Sequence, residues 1–216
     1  MEKEAFIFDM DGVLIDNHDF HKKAWKDFIE QKCPDKEFDF EYLMKNYFGK
    51  TNSIILEYVF EKKLSESEIK VLENEKENYY RKIYSPHIKE VKGLTNLLIK
   101  VKSNHLACAI GTSGPPENVE FVISKLGIKK YFDVIVDSSQ ISNGKPDPEV
   151  YLKVSQKLNI NPNRCIVFED SFSGIEAGLR AGMMVVGITT GHDKKTLLKK
   201  GVNKAINNFD EFDFLE

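Results

Sequence analysis

Ala5-Phe6-Ile7-Phe8-Asp9-Met10-Asp11-Gly12-Val13-Leu14 is the stretch on which the reading of this chain turns. Four apolar residues are too few for a helix, and the run stops abruptly at a carboxylate, the mark of a short buried strand opening into a polar loop. Asp9 and Asp11 lie two residues apart, the spacing that returns side chains to one face of an extended chain. The same acids interrupt the apolar start, and no small-residue cleavage site follows, so residues 1–15 are not expected to be a signal peptide.

Working outward, four more short apolar runs occupy 106–110, 134–136, 165–168 and 184–188. Each leads into polar or glycine-bearing residues and most then into a helix-like pattern. Repeated strand, loop, helix order argues for an α/β fold, a doubly wound, mostly parallel sheet covered by helices on both faces. Residues 16–90 differ. They are rich in Lys, Glu and aromatics, have helical periodicity and contain no convincing strand, so they read as an inserted all-helical domain, leaving 1–15 plus 91–216 as the core. Ser65 followed by Glu68 is a capping box that predicts a helix running to about Tyr84, where Ser85-Pro86 stops it. The connectors, near 14–17 and 87–93, form a natural hinge that lets the insert close over a site and exclude water.

With 41% hydrophobic and 30% charged residues and a net charge of -3, the chain fits a soluble globular protein and gives no reason to expect nucleic-acid or membrane-surface partners. A small-molecule partner is expected instead, and no apolar stretch is long enough to span a bilayer. Cys33, Cys108 and Cys165 include no C-x-x-C pair, so neither a disulfide framework nor a zinc site is indicated and a reducing cytoplasm fits. Cys108 and Cys165 read as small buried hydrophobes, and Cys33, ahead of Pro34, as the end of a helix.

Ligands of open α/β sheets bind beyond the carboxyl ends of the strands. There the runs end in Asp9-Met10-Asp11-Gly12, Gly111-Thr112-Ser113-Gly114 and Glu169-Asp170-Ser171, and the third is followed by Gly144-Lys145-Pro146-Asp147. Asp9, Asp11, Glu169 and Asp170 would repel one another unless a cation sat among them, and hard oxygen ligands imply Mg2+. Such an ion holding a phosphoryl group beside a positioned carboxylate suits covalent phosphoryl transfer, with Asp9 as nucleophile. Asp11 can protonate the leaving group and later deprotonate water. Thr112 and Ser113 can bind phosphoryl oxygens, and Lys145 can neutralise charge on them and on Asp9.

Each element has a plainer reading. Asp11-Gly12 is a turn dipeptide, Thr112-Ser113 could cap the helix that Pro115-Pro116 begins, Glu169-Asp170-Ser171 could cap the next, and Lys145 could be a solvated loop lysine. Their coincidence at converging strand ends favours the chemistry.

The chain here resembles the haloacid dehalogenase superfamily over nearly its whole length: Phe8-Asp9-Met10-Asp11-Gly12-Val13-Leu14 is similar to its first motif, Thr112-Ser113 to its second, Lys145-Pro146 to its third and Glu169-Asp170 to its fourth. The resemblance implies a Rossmann-like core, an aspartyl-phosphate, and magnesium held by Asp9, the Asp11 backbone carbonyl and the acids of the fourth motif. An acid at Asp11 marks the phosphatase and mutase branches. The helical insert, Asp16-Asn17 and the His21 to Trp25 pair resemble the β-phosphoglucomutase-like subgroup, which implies substrate contacts from Asn17, His21 and Lys76. Departures stand beside these. Asn17 occupies a usual threonine position, the segment from Gly49 to Ser53 lacks the arginine that contacts a second phosphate in the mutases, and the mutases' cap lysine aligns near Glu75 or Lys76.

Gly49-Lys50-Thr51 is not a P-loop, because Met44 stands where its first glycine belongs. His18, His87, His105 and His192 have no metal-ligand spacing and read as surface or cap residues, whereas His21, one turn before Trp25, either faces substrate or packs. Gly174, Gly178 and Gly182 form a stripe that lets a helix lie close to the sheet. The expected function is a magnesium-dependent phosphohydrolase for a small phosphorylated metabolite such as a sugar phosphate, with β-phosphoglucomutase as the alternative. A phosphoryl-accepting signalling module and a silent binding module are the other classes; the insert argues against the first and the full motif set against the second.

Overall fold

The computed structural model describes residues 3–47 and 50–213. Among them, six strands form one wholly parallel sheet: β1 (Ala5–Phe8), β2 (Ala107–Gly111), β3 (Val134–Val136), β4 (Cys165–Glu169), β5 (Met184–Ile188) and β6 (Lys204–Ile206). Their order is β3-β2-β1-β4-β5-β6. The topology therefore reverses at β1, where Phe8 aligns with Ile110 on one side and Phe168 on the other. Three strands thus deliver their carboxyl ends to one crevice, the place where open α/β sheets bind ligands.

Five strands match the apolar runs to within a residue. β4 also carries Glu169 inside the strand, and β6 is an addition, a three-residue edge strand whose Lys204 and brevity hide it from a hydrophobic pattern. All four β1 side chains are fully buried. Phe6 and Phe8 join the cluster fed by α5 (Leu94–Ser103) and α6 (Pro116–Leu126), while Ala5 and Ile7 pack on the opposite face with α7 (Glu149–Leu158) and α8 (Phe172–Arg180). Phe8 stacks on Phe168 at 4.8 Å between ring centroids. Burying a side chain of this size stabilises by roughly 1.5–3 kcal/mol, so β1 anchors both layers.

Between β1 and α5 the described residues form four helices, α1 (His18–Lys32), α2 (Phe40–Tyr47), α3 (Asn52–Phe60) and α4 (Glu66–Tyr84). Trp25, Phe28 and Ile29 recur at helical spacing on α1 and meet Leu43, Ile55, Leu56 and Val59 in a separate core. The Ser65–Glu68 capping box is reciprocal, as expected, and α4 ends at Tyr84. Cys33 closes α1, and Cys108 and Cys165 are buried. The two connectors are tied together, Val91 N–H donating to the Leu14 carbonyl at 2.9 Å and Ile15 bridging to Glu90. Among the described residues no helix is long and apolar enough to cross a membrane.

The glycine stripe is tighter than spacing suggests at one end and absent at the other. A Cβ on Gly174 would fall 1.5 Å from Glu169 Oε1, and one on Gly178 would lie 2.8 Å from Val185 Cγ2. Gly182 instead turns the chain beyond the helix with nothing within 4 Å, so it takes no part in the packing.

Candidate active site

Asp9 leaves β1 with its backbone N–H still donating to the Phe168 carbonyl, at 3.0 Å, so the sheet itself aims the side chain. Met10 points into the core, and Asp9 and Asp11 share a cavity on the other side of the chain. Gly12, at φ 77°, turns the chain. It does not make a hairpin; its missing Cβ leaves room for Asp170, whose Cγ would otherwise lie 2.4 Å away.

Lys145 Nζ donates to Asp9 Oδ1 and Glu169 Oε1, both at 2.7 Å, and is 2% exposed, so the solvated-lysine reading falls. Tyr151, which sequence patterning did not single out, donates to the same Glu169 oxygen at 2.9 Å. The other oxygen, Oε2, accepts the N–H groups of Asp170 and Ser171 at 2.8 and 2.9 Å and the Ser171 hydroxyl at 3.0 Å. Glu169 is thus held by five donors and sits behind the cavity, fixing Lys145. Ser171 also caps α8 by accepting from Gly174 N–H at 3.1 Å, so the capping reading holds for that residue.

Thr112 and Ser113 do not cap α6, whose N-cap is Pro115. Thr112 Oγ1 accepts from Gly114 N–H at 3.0 Å, and the buried Ser113 Oγ has no hydrogen-bond partner among the described residues, an orphan that a phosphoryl oxygen would satisfy. Asn17, buried, donates to Asp11 Oδ1 at 2.6 Å and to Tyr80 Oη at 2.5 Å. Its side chain is therefore unavailable to cap α1, and it stands behind Asp11 rather than in the cavity wall. His21 stacks on Tyr80 at 3.7 Å and brings Nε2 to 3.5 Å from Asp11 Oδ1.

Charge balance in this cluster points to a cation. Burial raises the Asp9 carboxyl well above the ordinary range, Glu169 and Asp11 push the same way, and Lys145 opposes them. Burial likewise raises Asp170, against the pull of His18. Burial alone would lower Lys145, but Asp9 and Glu169 outweigh it and hold the ammonium charged. Burial also favours protonation of Asp11, yet His21, Asn17 and Lys76 overcome it and hold that carboxyl below its usual value. Oxygens of Asp9, Glu169 and Asp170 lie within 4.8 Å of one another, a donor set that fits a hard divalent ion. The Asp11 side chain is outside that group and faces Asn17 and His21.

The helical layer supplies the opposite wall. Lys76 is 1% exposed and reaches His21 Nδ1 at 2.9 Å and Glu77 Oε1 at 2.7 Å, while Glu75 turns outward to Lys32 at 2.7 Å; one residue of register separates them. Lys50, Asn52 and Glu77 line the same cavity. Gly49, the first residue of the segment lacking arginine, lies outside the described residues. The cavity measures about 60 Å3, well below the roughly 300–1,000 Å3 of pockets that hold a small ligand.

His18 opens α1 in the helical insert, and it also reaches the site. Its Nε2 lies 2.8 Å from Asp170 Oδ2, and although burial alone would lower its pKa, Asp170, Asp16 and Asp11 raise it. Its place directly after Asn17 was the one clue. His87 stacks on Phe20 and His192 on Phe172, outside the cluster.

A family model for haloacid dehalogenase-like hydrolases matches residues 6–188. A phosphorylated carbohydrates phosphatase of Thermotoga maritima is 36% identical over 92% of this chain and 91% of its own length. The β-phosphoglucomutase of Bacillus subtilis is 31% identical over 87% of this chain and 84% of its own. Among solved structures, a hydrolase of the same family from Entamoeba histolytica superposes with a TM-score of 0.86 at 34% identity, covering 97% of this chain and 95% of its own. The chain belongs to the haloacid dehalogenase-like hydrolases and is an enzyme of their phosphatase and phosphomutase kind.

Proposed function

We propose that this haloacid dehalogenase-like hydrolase cleaves the phosphate ester of a small phosphorylated carbohydrate through an aspartyl-phosphate on Asp9. One observation carries the reading. A nucleophile-grade carboxylate, Asp9, held by Lys145 at 2.7 Å, shares a cavity with a second carboxylate, Asp11, that Asn17 and His21 orient separately. Asp9 attacks phosphorus while Asp11, ionised before substrate binds and taking up a proton as the phosphate dianion enters beside it, gives that proton to the departing sugar oxygen. Asp11, now a base, takes a proton from water, which attacks the acyl phosphate and returns Asp9 and inorganic phosphate. Thr112, Ser113 and Lys145 hold the phosphoryl oxygens throughout. Magnesium, which Asp9, Asp170 and the Asp11 carbonyl would hold with the Glu169 charge behind them, would offset the negative charge gathered on the phosphoryl group.

Residues 16–90 act in this reading as a cap that swings on the paired connectors, since a cavity of about 60 Å3 must widen to hold a sugar phosphate. The phosphorylated substrates named for the Thermotoga and Bacillus relatives support a sugar phosphate here. β-Phosphoglucomutase activity is the second reading, favoured by Lys76 facing the site. Asn52 weighs against it, being bound to Glu73 at 3.0 Å and Glu77 at 2.7 Å where a mutase needs a cation. Three cysteines without a disulfide fit a cytoplasmic enzyme.

Incubation with β-glucose 1-phosphate, magnesium and catalytic glucose 1,6-bisphosphate separates the two by the ratio of free phosphate to glucose 6-phosphate. Hydrolysis should dominate, vanish in Asp9→Asn, and fall with chelator and return with magnesium. Rapid glucose 6-phosphate formation with little phosphate released would establish the mutase instead.

A further inference from the structure

The wall facing Asp9 contains a buried carboxylate for which the hydrolytic steps have no use. Glu77, on α4, is 2% exposed and borders the cavity, yet it stands far along the chain from every group that handles the phosphoryl transfer. Its Oε1 accepts Lys76 Nζ and Asn52 Nδ2, each at 2.7 Å, and its Oε2 accepts Asn118 Nδ2 at 2.7 Å. Burial alone would raise this carboxyl, but Lys76, His21 and Asn118 hold it below the ordinary range, so it is ionised at neutral pH. Two consequences follow. The Lys76 charge is already balanced by an adjacent anion, and Asn52 is turned toward that anion rather than toward a ligand.

From this geometry we infer that Glu77 is a specificity-determining residue, which neutralises the cap wall and excludes substrates bearing a second phosphate. The inference rests on the hydrolase reading above and names the substrate class more closely: monophosphates whose far end is uncharged and carries hydroxyls, which Glu77, Asn52 and Asn118 can bind. When the cap is closed, a bisphosphate would bring a second dianion against a carboxylate held in place by partners from three elements, α3, α4 and α6. Lys50, the other lysine on this wall, lies over the Tyr47 ring at 4.5 Å and adds one positive charge to a wall where Glu77 has cancelled the other. Selection of this kind works by repulsion against the wrong ligand as much as by attraction of the right one.

The test measures kcat/KM for phosphate release from fructose 1-phosphate and fructose 1,6-bisphosphate, with p-nitrophenyl phosphate as a reporter of the chemical step. Wild type should favour the monophosphate by tenfold or more. Glu77→Gln keeps the shape and removes the charge. One unit charge within several ångströms of a phosphate, at an effective dielectric near 20, changes relative rates by roughly ten- to a hundredfold, so the variant should raise the bisphosphate-to-monophosphate ratio by that factor. A ratio within twofold of wild type, with both substrates slowed alike, would make Glu77 a latch between α4 and α6 and overturn the inference. Should the variant fold poorly, competition on wild type decides: fructose 1,6-bisphosphate must inhibit p-nitrophenyl phosphate hydrolysis at least tenfold more weakly than fructose 1-phosphate, and equal inhibition overturns the inference. Hydrolysis of monophosphates without discrimination sinks this inference alone. No release from any monoester, the nitrophenyl ester included, sinks the hydrolase reading and this inference with it.

Discussion

Gly174→Ala is expected to damage both stability and catalysis, although a glycine replaced by alanine inside a helix ordinarily stabilises by up to about 1 kcal/mol. The new Cβ would fall 1.5 Å from Glu169 Oε1, 2.0 Å from its Cδ and 2.5 Å from Oε2, whereas real Cβ atoms hardly ever approach within 3.0 Å. Either the carboxylate or the start of α8 must therefore shift by more than an ångström. If the carboxylate moves, it leaves Lys145 and Tyr151, each bound through Oε1. If α8 moves, the N–H groups of Asp170 and Ser171 lose their acceptor. Hydrogen bonds to charged groups contribute roughly 1.5–3 kcal/mol, so losing two costs about 3–6 kcal/mol, a large part of the usual 5–15 kcal/mol. At about 2–4 °C per kcal/mol for a chain of this size, the melting midpoint should fall by roughly 6–24 °C. Because Glu169 holds the lysine that holds Asp9, a displacement of about 1 Å should also lower phosphate release by on the order of a hundredfold. Thermal denaturation followed by circular dichroism, with a phosphate-release assay at 25 °C, reads both. Gly178→Ala, whose Cβ would meet Val185 Cγ2 at 2.8 Å, serves as a comparison with a clash against a movable methyl. A Gly174→Ala variant that melts within about 3 °C of wild type and keeps its activity would refute the packing of α8 onto Glu169.

Asp11→Asn should lose roughly two to four orders of magnitude with a sugar phosphate and less with p-nitrophenyl phosphate, whose leaving group hardly needs a proton; equal losses would show that Asp11 is not the general acid. Ser65→Ala should cost about 1 kcal/mol in urea denaturation by opening the N-terminus of α4, and no change would mean the capping box is idle. The Glu68 carboxyl is held down to about 2 by the Ser65 backbone N–H, the Ser65 hydroxyl and Lys62. Its depressed value means that the stabilisation is fully present above about 4.5 and is lost as pH falls toward 2. The stability gap between wild type and Glu68→Gln should therefore shrink over that window, and a gap independent of pH would contradict the assignment.

Much of this protein is legible along the chain because the signals are local. A strand buried on both faces needs a short apolar run, and the polar residue that ends it lies at the ligand-binding edge, so the runs before Asp9, Thr112 and Glu169 announce both sheet and site. The capping box at Ser65 is likewise complete within four residues of sequence. β6 escaped notice because Lys204-Ala205-Ile206 is an edge strand that needs little hydrophobicity. Other features depend on neighbours brought together from afar. Lys145 meets Asp9 across 136 positions, Lys76 meets His21 across 55, and Glu77 meets Asn118 across 41. The resemblance to the mutases could narrow the cap lysine to Glu75 or Lys76, but only the seating of α4 on α1 turns one inward and the other out. His18 read as a surface or cap residue with no part in the site because its partner, Asp170, follows a strand laid beside β1 by the crossover topology. Sequence by itself determined five of the six described strands and the loop that carries Asp9 and Asp11; tertiary structure decided which polar groups face one another, because a side chain's charge and reach carry no record of what the fold will set opposite it.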